Sequence, residues 1–277
     1  DLATEPTPYT PFSEMDANTP RLMGGAFDAA NPENPFAGWT QVFVPYCTGD
    51  AHLGAKDVTY TTTAGGEVVI HHRGKANVQS ALDWVYAHHT APASVFVGGG
   101  SAGAIASPYY AGIVAEHYPQ ADITQNADGA GGYRAAMVAQ IFEIWGVFEG
   151  TPDWPELAAI DRSTATMEDL FRVTAARYPR VQLSQFNTVD DGVQQQFLAL
   201  MGVTTHVREL MRANLADLSA DIPGFRAYSA AGADHTLLRY DRLYTTGIGG
   251  VAATDWYRNL VSGLEVASLS CETEGCE

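Results

Sequence analysis

The apolar run Ala93-Ser94-Val95-Phe96-Val97 leads into Gly99-Gly100-Ser101-Ala102-Gly103, and an alanine-rich segment of helical character follows. A short buried strand, a glycine-flanked serine and a helix therefore arrive in one fixed order. The Gly-x-Ser-x-Gly pentapeptide builds a nucleophile elbow, a strained turn that lifts a serine hydroxyl above the end of a sheet. Glycine is needed on both sides because the serine backbone leaves the common conformations and its neighbours approach closely, without room for a Cβ. The pentapeptide alone is a cheap pattern. Its place between a strand and a helix is what constrains the fold.

Elsewhere the chain reads as strands alternating with helices. Residues 1–37 are rich in Pro, Asn, Asp and Thr and read as irregular. Gln41–Tyr46 reads as a first strand ending in the turn Cys47-Thr48-Gly49-Asp50, and Glu67–His72 as a second. An amphipathic helix is expected over Asn77–His88, with Val78, Leu82, Val85 and Tyr86 on one face. Ser94–Val97 and a helix over Ala102–His117 then complete a β-α-β-α unit. A strand at Asp122–Gln125, the glycine-rich Asp128–Gly132 and an apolar segment over Met137–Phe148 come next. Gly150–Ser163, with Pro152 and Pro155, reads as a small cap insertion. Helices over Met167–Arg177, Val193–Met201, Thr205–Leu218 and Ala252–Ser262 surround strands at Val181–Phe186 and Phe225–Ser229. The pattern implies a single α/β domain over residues 1–277, α/β-hydrolase-like, with a mainly parallel sheet, helices on both faces and a small cap.

Composition removes several classes. Charged residues make up 17% and hydrophobic ones 46%, which fits a packed globular chain and not a disordered one. No apolar stretch is long enough to span a bilayer. The net charge is −17, lysine occurs only at positions 56 and 75, and the arginines form no cluster, so nucleic acid is not expected as a ligand. The same charge disfavours a polyanionic substrate at low salt. Asp1-Leu2-Ala3-Thr4 has neither the basic start nor the apolar segment of a leader, so any leader is expected to have been removed. Of three cysteines, Cys271 and Cys276 flank a short loop that a disulfide could close, which suggests a secreted protein, while Cys47 is left over. No Cys/His cluster points to a metal.

A serine hydroxyl needs a base to take its proton and a third group to fix that base. In α/β-hydrolases the chain order is Ser, Asp/Glu, His, with the histidine on the loop after the last strand. The slot after Val181–Phe186 holds Asp190 and Asp191, and the slot after Phe225–Ser229 holds His235. Local sequence does not choose between the two aspartates. Asp128 also follows a strand, but its glycine-rich surroundings fit backbone packing beside Ser101. His71, His72, His88, His89 and His117 sit in strands or near helix ends, and His52 and His206 do not occupy the base slot. The Ala102 N–H is one oxyanion donor. Gly24-Gly25 is the only early glycine pair that could offer another, and no apolar strand precedes it.

The segments Val44-Pro45-Tyr46-Cys47-Thr48-Gly49-Asp50, Gly99–Gly103 and Asp128-Gly129-Ala130-Gly131 together resemble the pectin acetylesterase/Notum family, and more closely its bacterial branch, over about Met23–Gly263. The resemblance implies a secreted serine carboxylesterase with a Ser-Asp-His triad and no metal or organic cofactor. Asn187-Thr188-Val189-Asp190-Asp191-Gly192-Val193-Gln194 matches the family's Asn-Thr-x-x-Asp-x-x-Gln motif and puts Asp191 in the acid position, with Ser101 as nucleophile and His235 as base. Family members carry, upstream of the matched region, an apolar strand ending in a Gly-Gly segment that supplies further oxyanion donors, and the sequence begins after it. The expected activity is hydrolysis of short acyl esters, such as polysaccharide O-acetyl groups, with promiscuous action on polyesters. The rival expectation is a glycan- or acyl-binding protein that keeps the fold without catalysis. Oligomeric state is not readable from the residues.

Overall fold

The computed structural model describes Pro20 and residues 23–275. In chain order the elements are β1 (Lys56–Thr61), β2 (Glu67–His72), α1 (Gly74–His88), β3 (Ser94–Gly100), α2 (Ala102–His117), β4 (Asp122–Asp128), α3 (Val138–Trp145) and α4 (Pro155–Ala158). They continue with α5 (Met167–Arg177), β5 (Ser184–Thr188), α6 (Gly192–Leu200), α7 (Val207–Asp221), β6 (Arg226–Ala230), β7 (Gly247–Ile248), β8 (Val251–Ala252), α8 (Ala253–Val261), β9 (Leu269–Ser270) and α9 (Cys271–Glu274). The chain divides into two compact units.

One unit holds residues 41–90 and 139–165. Its β1 and β2 form an antiparallel hairpin closed over Thr62–Gly66, where Thr62 N–H donates to the Gly66 carbonyl at 2.8 Å. Side chains alternate in exposure along both strands, the period-two pattern of a ribbon buried on one face. This corrects two expectations. Gln41–Tyr46 is irregular and not a strand. Pro45 has no N–H to give a ladder, and the buried Asp50 carboxylate organises the loop that follows. It accepts from Thr48 Oγ1 at 2.6 Å, His52 N at 3.0 Å and Gly74 N at 2.6 Å. The strand Glu67–His72 exists but pairs with β1, so the β-α-β-α repeat begins only at β3. The stretch 150–163 falls in this unit and contains the single-turn α4, started by Pro155 at its first position.

The other unit holds residues 23–40, 91–138 and 166–275 of the described chain. Its sheet has five parallel strands in the order β3-β4-β5-β6-β9. Helix α2 packs across β3 and β4, α5 packs on α2, and α7 on α5. The α2 surface is built of small residues buried nearly all round, which lets the helix lie close to the sheet. Pro108 interrupts its backbone ladder, and Ser107 Oγ donates to the freed Ala104 carbonyl at 3.1 Å. Between β4 and β5 the ladder is short, and side chains complete it. Ser184 Oγ donates to Gln125 O at 2.6 Å, Gln125 Oε1 accepts from Ser184 N at 3.1 Å, and Asn126 Nδ2 donates to Ser184 Oγ at 2.9 Å. A core of Phe186, Tyr228, Trp256, Tyr257 and Leu260 joins β5 and β6 to α8. Strands β3 and β4 run three residues past their expected ends, β5 two and β6 one, and β5 and β6 begin three and one residues later than expected, while β9 is too short and polar to read as a strand from its residues.

Candidate active site

At the end of β3 the chain turns at Ser101 with φ 55° and ψ −115°, and α2 begins on the next residue. An L-residue in this region is strained, as an elbow requires. The glycines have separable reasons. A Cβ on Gly99 would stand 2.2 Å from the Gly103 carbonyl oxygen, so strand and helix touch backbone to backbone there. Ser101 N–H donates to the Asp128 carbonyl at 2.8 Å, tying the elbow to the end of β4. The Ala102 N–H, in the open first turn of α2, meets no described acceptor.

The loops after β5 and β6 run side by side. Val189 N donates to Ala230 O at 2.9 Å, Asp190 N to Gly232 O at 3.1 Å and Gly192 N to Ala233 O at 3.0 Å, and Thr188 Oγ1 donates to Asp234 O. That zipper separates the two adjacent aspartates. Asp190 turns outward to a two-pronged ion pair with Arg208, at 2.9 and 2.5 Å. Asp191 turns inward, fully buried, as the N-cap of α6. Its Oδ1 accepts from Val193 N and Gln194 N, both at 3.0 Å. Its Oδ2 accepts from Gln194 Nε2 at 2.9 Å and lies 2.7 Å from His235 Nδ1. Every lone-pair direction of the carboxylate is occupied, and as an acceptor it holds the imidazole with Nδ1 protonated. His235 Nε2 is then the basic nitrogen, and it is buried with no hydrogen-bond partner, Ser101 included.

The residue after the histidine, Thr236, has φ 59°, an unfavourable left-handed conformation for a β-branched side chain, which costs about 1–3 kcal/mol. Two charged side chains hold it there. Asp128 accepts from Leu237 N with both oxygens, at 2.9 and 2.8 Å, and from Leu238 N at 2.9 Å. Arg242 donates to the His235 carbonyl at 2.5 Å and the Thr236 carbonyl at 2.9 Å, and pairs with Asp234 at 2.8 Å. Burial pushes the Asp128 carboxyl up to about 6, against the opposing pull of the Leu237 and Leu238 amides, His235 and Arg242.

The expected residues thus fall into two groups. Asp191 and His235 are in contact, and Ser101 and Ala102 form the elbow at the end of the same sheet. Gly24-Gly25 is committed elsewhere. Gly25 N donates to Asp241 Oδ1 at 3.1 Å and Ala26 N to Leu238 O at 2.7 Å, so these amides brace the segment after the histidine loop. Among the other histidines, His206 caps α7 by accepting from Arg208 N, and His72 sits in the β1–β2 hairpin between Thr48 O and Tyr60 Oη. Sequence reasoning missed Gln194, Arg242 and the Asp128 carboxylate. Gln194 was visible only as a motif letter, and the other two carry no local signal. Among the described residues no group of three or more His, Cys, Asp or Glu side chains gathers as metal ligands. No helix among them is long and apolar enough to cross a membrane. Cys47 is free and exposed, and Cys276, the expected partner of Cys271, lies outside the described residues.

A parallel sheet with an elbow after β3, an acid after β5 and a histidine after β6 defines an α/β-hydrolase-like fold. The family described as pectinacetylesterase matches residues 13–140, a span that includes the elbow and Asp128 but ends before Asp191 and His235. With that match the resemblance to the pectin acetylesterase/Notum family stands, and the chain is a carboxylic ester hydrolase. No curated protein sequence matches it. Among solved structures, it is similar to the Wnt deacylase Notum from Drosophila in two crystal forms. One has a TM-score of 0.58 at 15% identity, covering 92% of this chain and 79% of that one. The other has a TM-score of 0.58 at 17% identity, covering 89% and 75%.

Proposed function

We propose that the protein is a secreted serine carboxylesterase that removes short acyl groups, acetyl above all, from a polysaccharide or similar alcohol, with Ser101, His235 and Asp191 as its triad. The observation that carries this reading is the buried Asp191–His235 pair, at 2.7 Å, which leaves Nε2 unpartnered in the unit that also contains the Ser101 elbow. Ser101 Oγ attacks the ester carbonyl carbon as Nε2 takes its proton, forming a tetrahedral oxyanion that accepts from the Ala102 N–H. The C–O bond to the alcohol breaks, and that oxygen takes the proton from Nε2. Water then repeats the sequence on the acyl-serine, releasing the acid and restoring Ser101. A serine and base that close their hydrogen bond only with substrate present are common in free enzymes.

The acetyl preference takes its support from the family name matched over 13–140. The charge of −17 favours a neutral ester over a polyanionic one. Secretion is supported by the family resemblance and by the spacing of Cys271 and Cys276, which a disulfide could close, and promiscuous hydrolysis of polyesters belongs to the same reading. The test is hydrolysis of p-nitrophenyl acetate, butyrate and octanoate by the wild type and by Ser101→Ala. Activity that falls with acyl length and vanishes in Ser101→Ala is expected. Equal inertness of both proteins would transfer the fold to the binding reading.

A further inference from the structure

We infer that Asp128, acting with Arg242, is a positioning residue for His235: a charged clamp that holds the strained base loop against the nucleophile elbow. The inference rests on the proposed catalytic reading and adds residues outside the triad. The clamp is built from both sides of one short segment. Asp128 takes the N–H groups of Leu237 and Leu238, and Arg242 takes the carbonyls of His235 and Thr236. Residues 235–238 are thereby fixed at three consecutive peptide units, the span that contains the positive φ of Thr236.

Asp128 also reaches the nucleophile. Its backbone carbonyl accepts from Ser101 N at 2.8 Å while its side chain holds the base loop, so one residue sets both partners of the proton transfer. The interface between them leaves no slack. A Cβ on Gly129 would meet Thr236 Cγ2 at 3.1 Å and His235 Cε1 at 3.4 Å, and one on Gly100 would meet Thr236 Cγ2 at 3.4 Å. The Thr236 methyl thus occupies space that two glycines leave open. Displacement of a catalytic group by about 1 Å lowers rate by about 100-fold.

The carboxylate serves best here, because it accepts with both oxygens, whereas a neutral acid keeps one good acceptor and turns an O–H toward an amide that is itself a donor. The charged and titrating groups that face Asp128 are His235 on the clamped loop, Arg242 beyond it and Tyr257 from α8, with Asp191 and Asp234 one contact further out. Below about pH 6 the clamp loosens as Asp128 takes up its proton.

The experiment compares wild type, Asp128→Asn and Arg242→Gln on p-nitrophenyl acetate from pH 4.5 to 8.5, each titration point about half a unit apart. Hydrogen exchange of the Leu237 and Leu238 amides is followed alongside. Asp128→Asn is expected to lower kcat about 10- to 100-fold with KM within about threefold, and to remove the Asp128 ionisation near pH 6 from the acid limb, making it less steep than in wild type. Arg242→Gln is expected to lower kcat and keep the wild-type steepness of that limb. Faster exchange of the two amides is expected in Asp128→Asn. If both variants keep wild-type kcat, or if the Asp128→Asn pH profile superimposes on that of wild type, the clamp is overturned. If wild type shows no Ser101-dependent hydrolysis, the catalytic reading fails and exchange decides whether the clamp exists as a structural device; unchanged exchange overturns that too. If Asp128→Asn does not fold, Arg242→Gln, whose side chain is partly exposed, carries the kinetic test.

Discussion

Asp191 and His235 are 44 residues apart in the chain and 2.7 Å apart in space, and the oxygen that meets the imidazole also accepts from Gln194 Nε2. An amide in place of that carboxylate must turn an NH2 either toward the Nδ1 proton or toward Gln194 and the α6 amides. The imidazole then takes the wrong tautomer. Asp191→Asn is expected to lower kcat on p-nitrophenyl acetate roughly 10³- to 10⁴-fold with little change in KM. Asp190→Asn breaks only a surface pair with Arg208 and should leave kcat within roughly twofold. Steady-state kinetics of the two variants decide the acid, and the reverse ranking would move it to Asp190.

The elbow glycines differ in what a methyl group would meet. At Gly99 a Cβ collides with the Gly103 carbonyl, which is backbone and cannot rotate away. At Gly100 the nearest atom is a threonine methyl at 3.4 Å. Gly99→Ala is therefore expected to destabilise the fold by about 3 kcal/mol and Gly100→Ala by less than about 1 kcal/mol. Urea unfolding at pH 7 checks both. Equal losses would mean that the strand–helix contact gives way more easily than its geometry implies.

Much of this arrangement was legible in the residues. The Ser101 elbow, the α5 helix and the two slots after β5 and β6 follow from periodicity and turn chemistry, which are local. The expectation of Asp191 over Asp190 as the acid rests on a family motif; what the structure adds is a zipper between the two loops that turns Asp191 toward His235 and Asp190 toward Arg208, a long-range pairing that no local pattern encodes. Gln41–Tyr46 has strand composition but is not a strand, and β1 went unread because its alternation is carried by Lys, Asp and Thr as much as by apolar residues. Asp128 illustrates the same limit. Its backbone contact with Ser101 is implied by β3–β4 register, but the carboxylate's partners come from a loop 109 residues away.

The charge of −17 should be readable in substrate choice. Acetyl release from a neutral acetylated glycan is expected to exceed release from acetylated polygalacturonate at low ionic strength. The gap should narrow as salt is raised to roughly 0.15 M, where exposed charges are screened beyond about 8 Å. Acetate release measured at both ionic strengths checks this. A gap that does not respond to salt would put the preference in direct contacts with the substrate and not in the field of the protein.

Asp128 sets stability against activity. Its carboxyl titrates at about 6 in the folded protein and at about 3.9 in an unfolded chain, so the folded state holds its proton over a wider range. For an acid shifted upward, the favourable contribution is present below the unfolded value and is lost as pH rises through the folded one. Relative to Asp128→Asn, wild type should therefore lose about 3 kcal/mol between about pH 4 and pH 6.5, and the difference should be flat above that. Urea unfolding of both proteins at half-unit steps checks the window. Activity is expected to run the other way, rising with ionisation of the same group, because the clamp on His235 needs the anion. A stability difference that stays constant across the window would mean that Asp128 is already ionised at pH 4, and its ionisation would then not shape the acid limb.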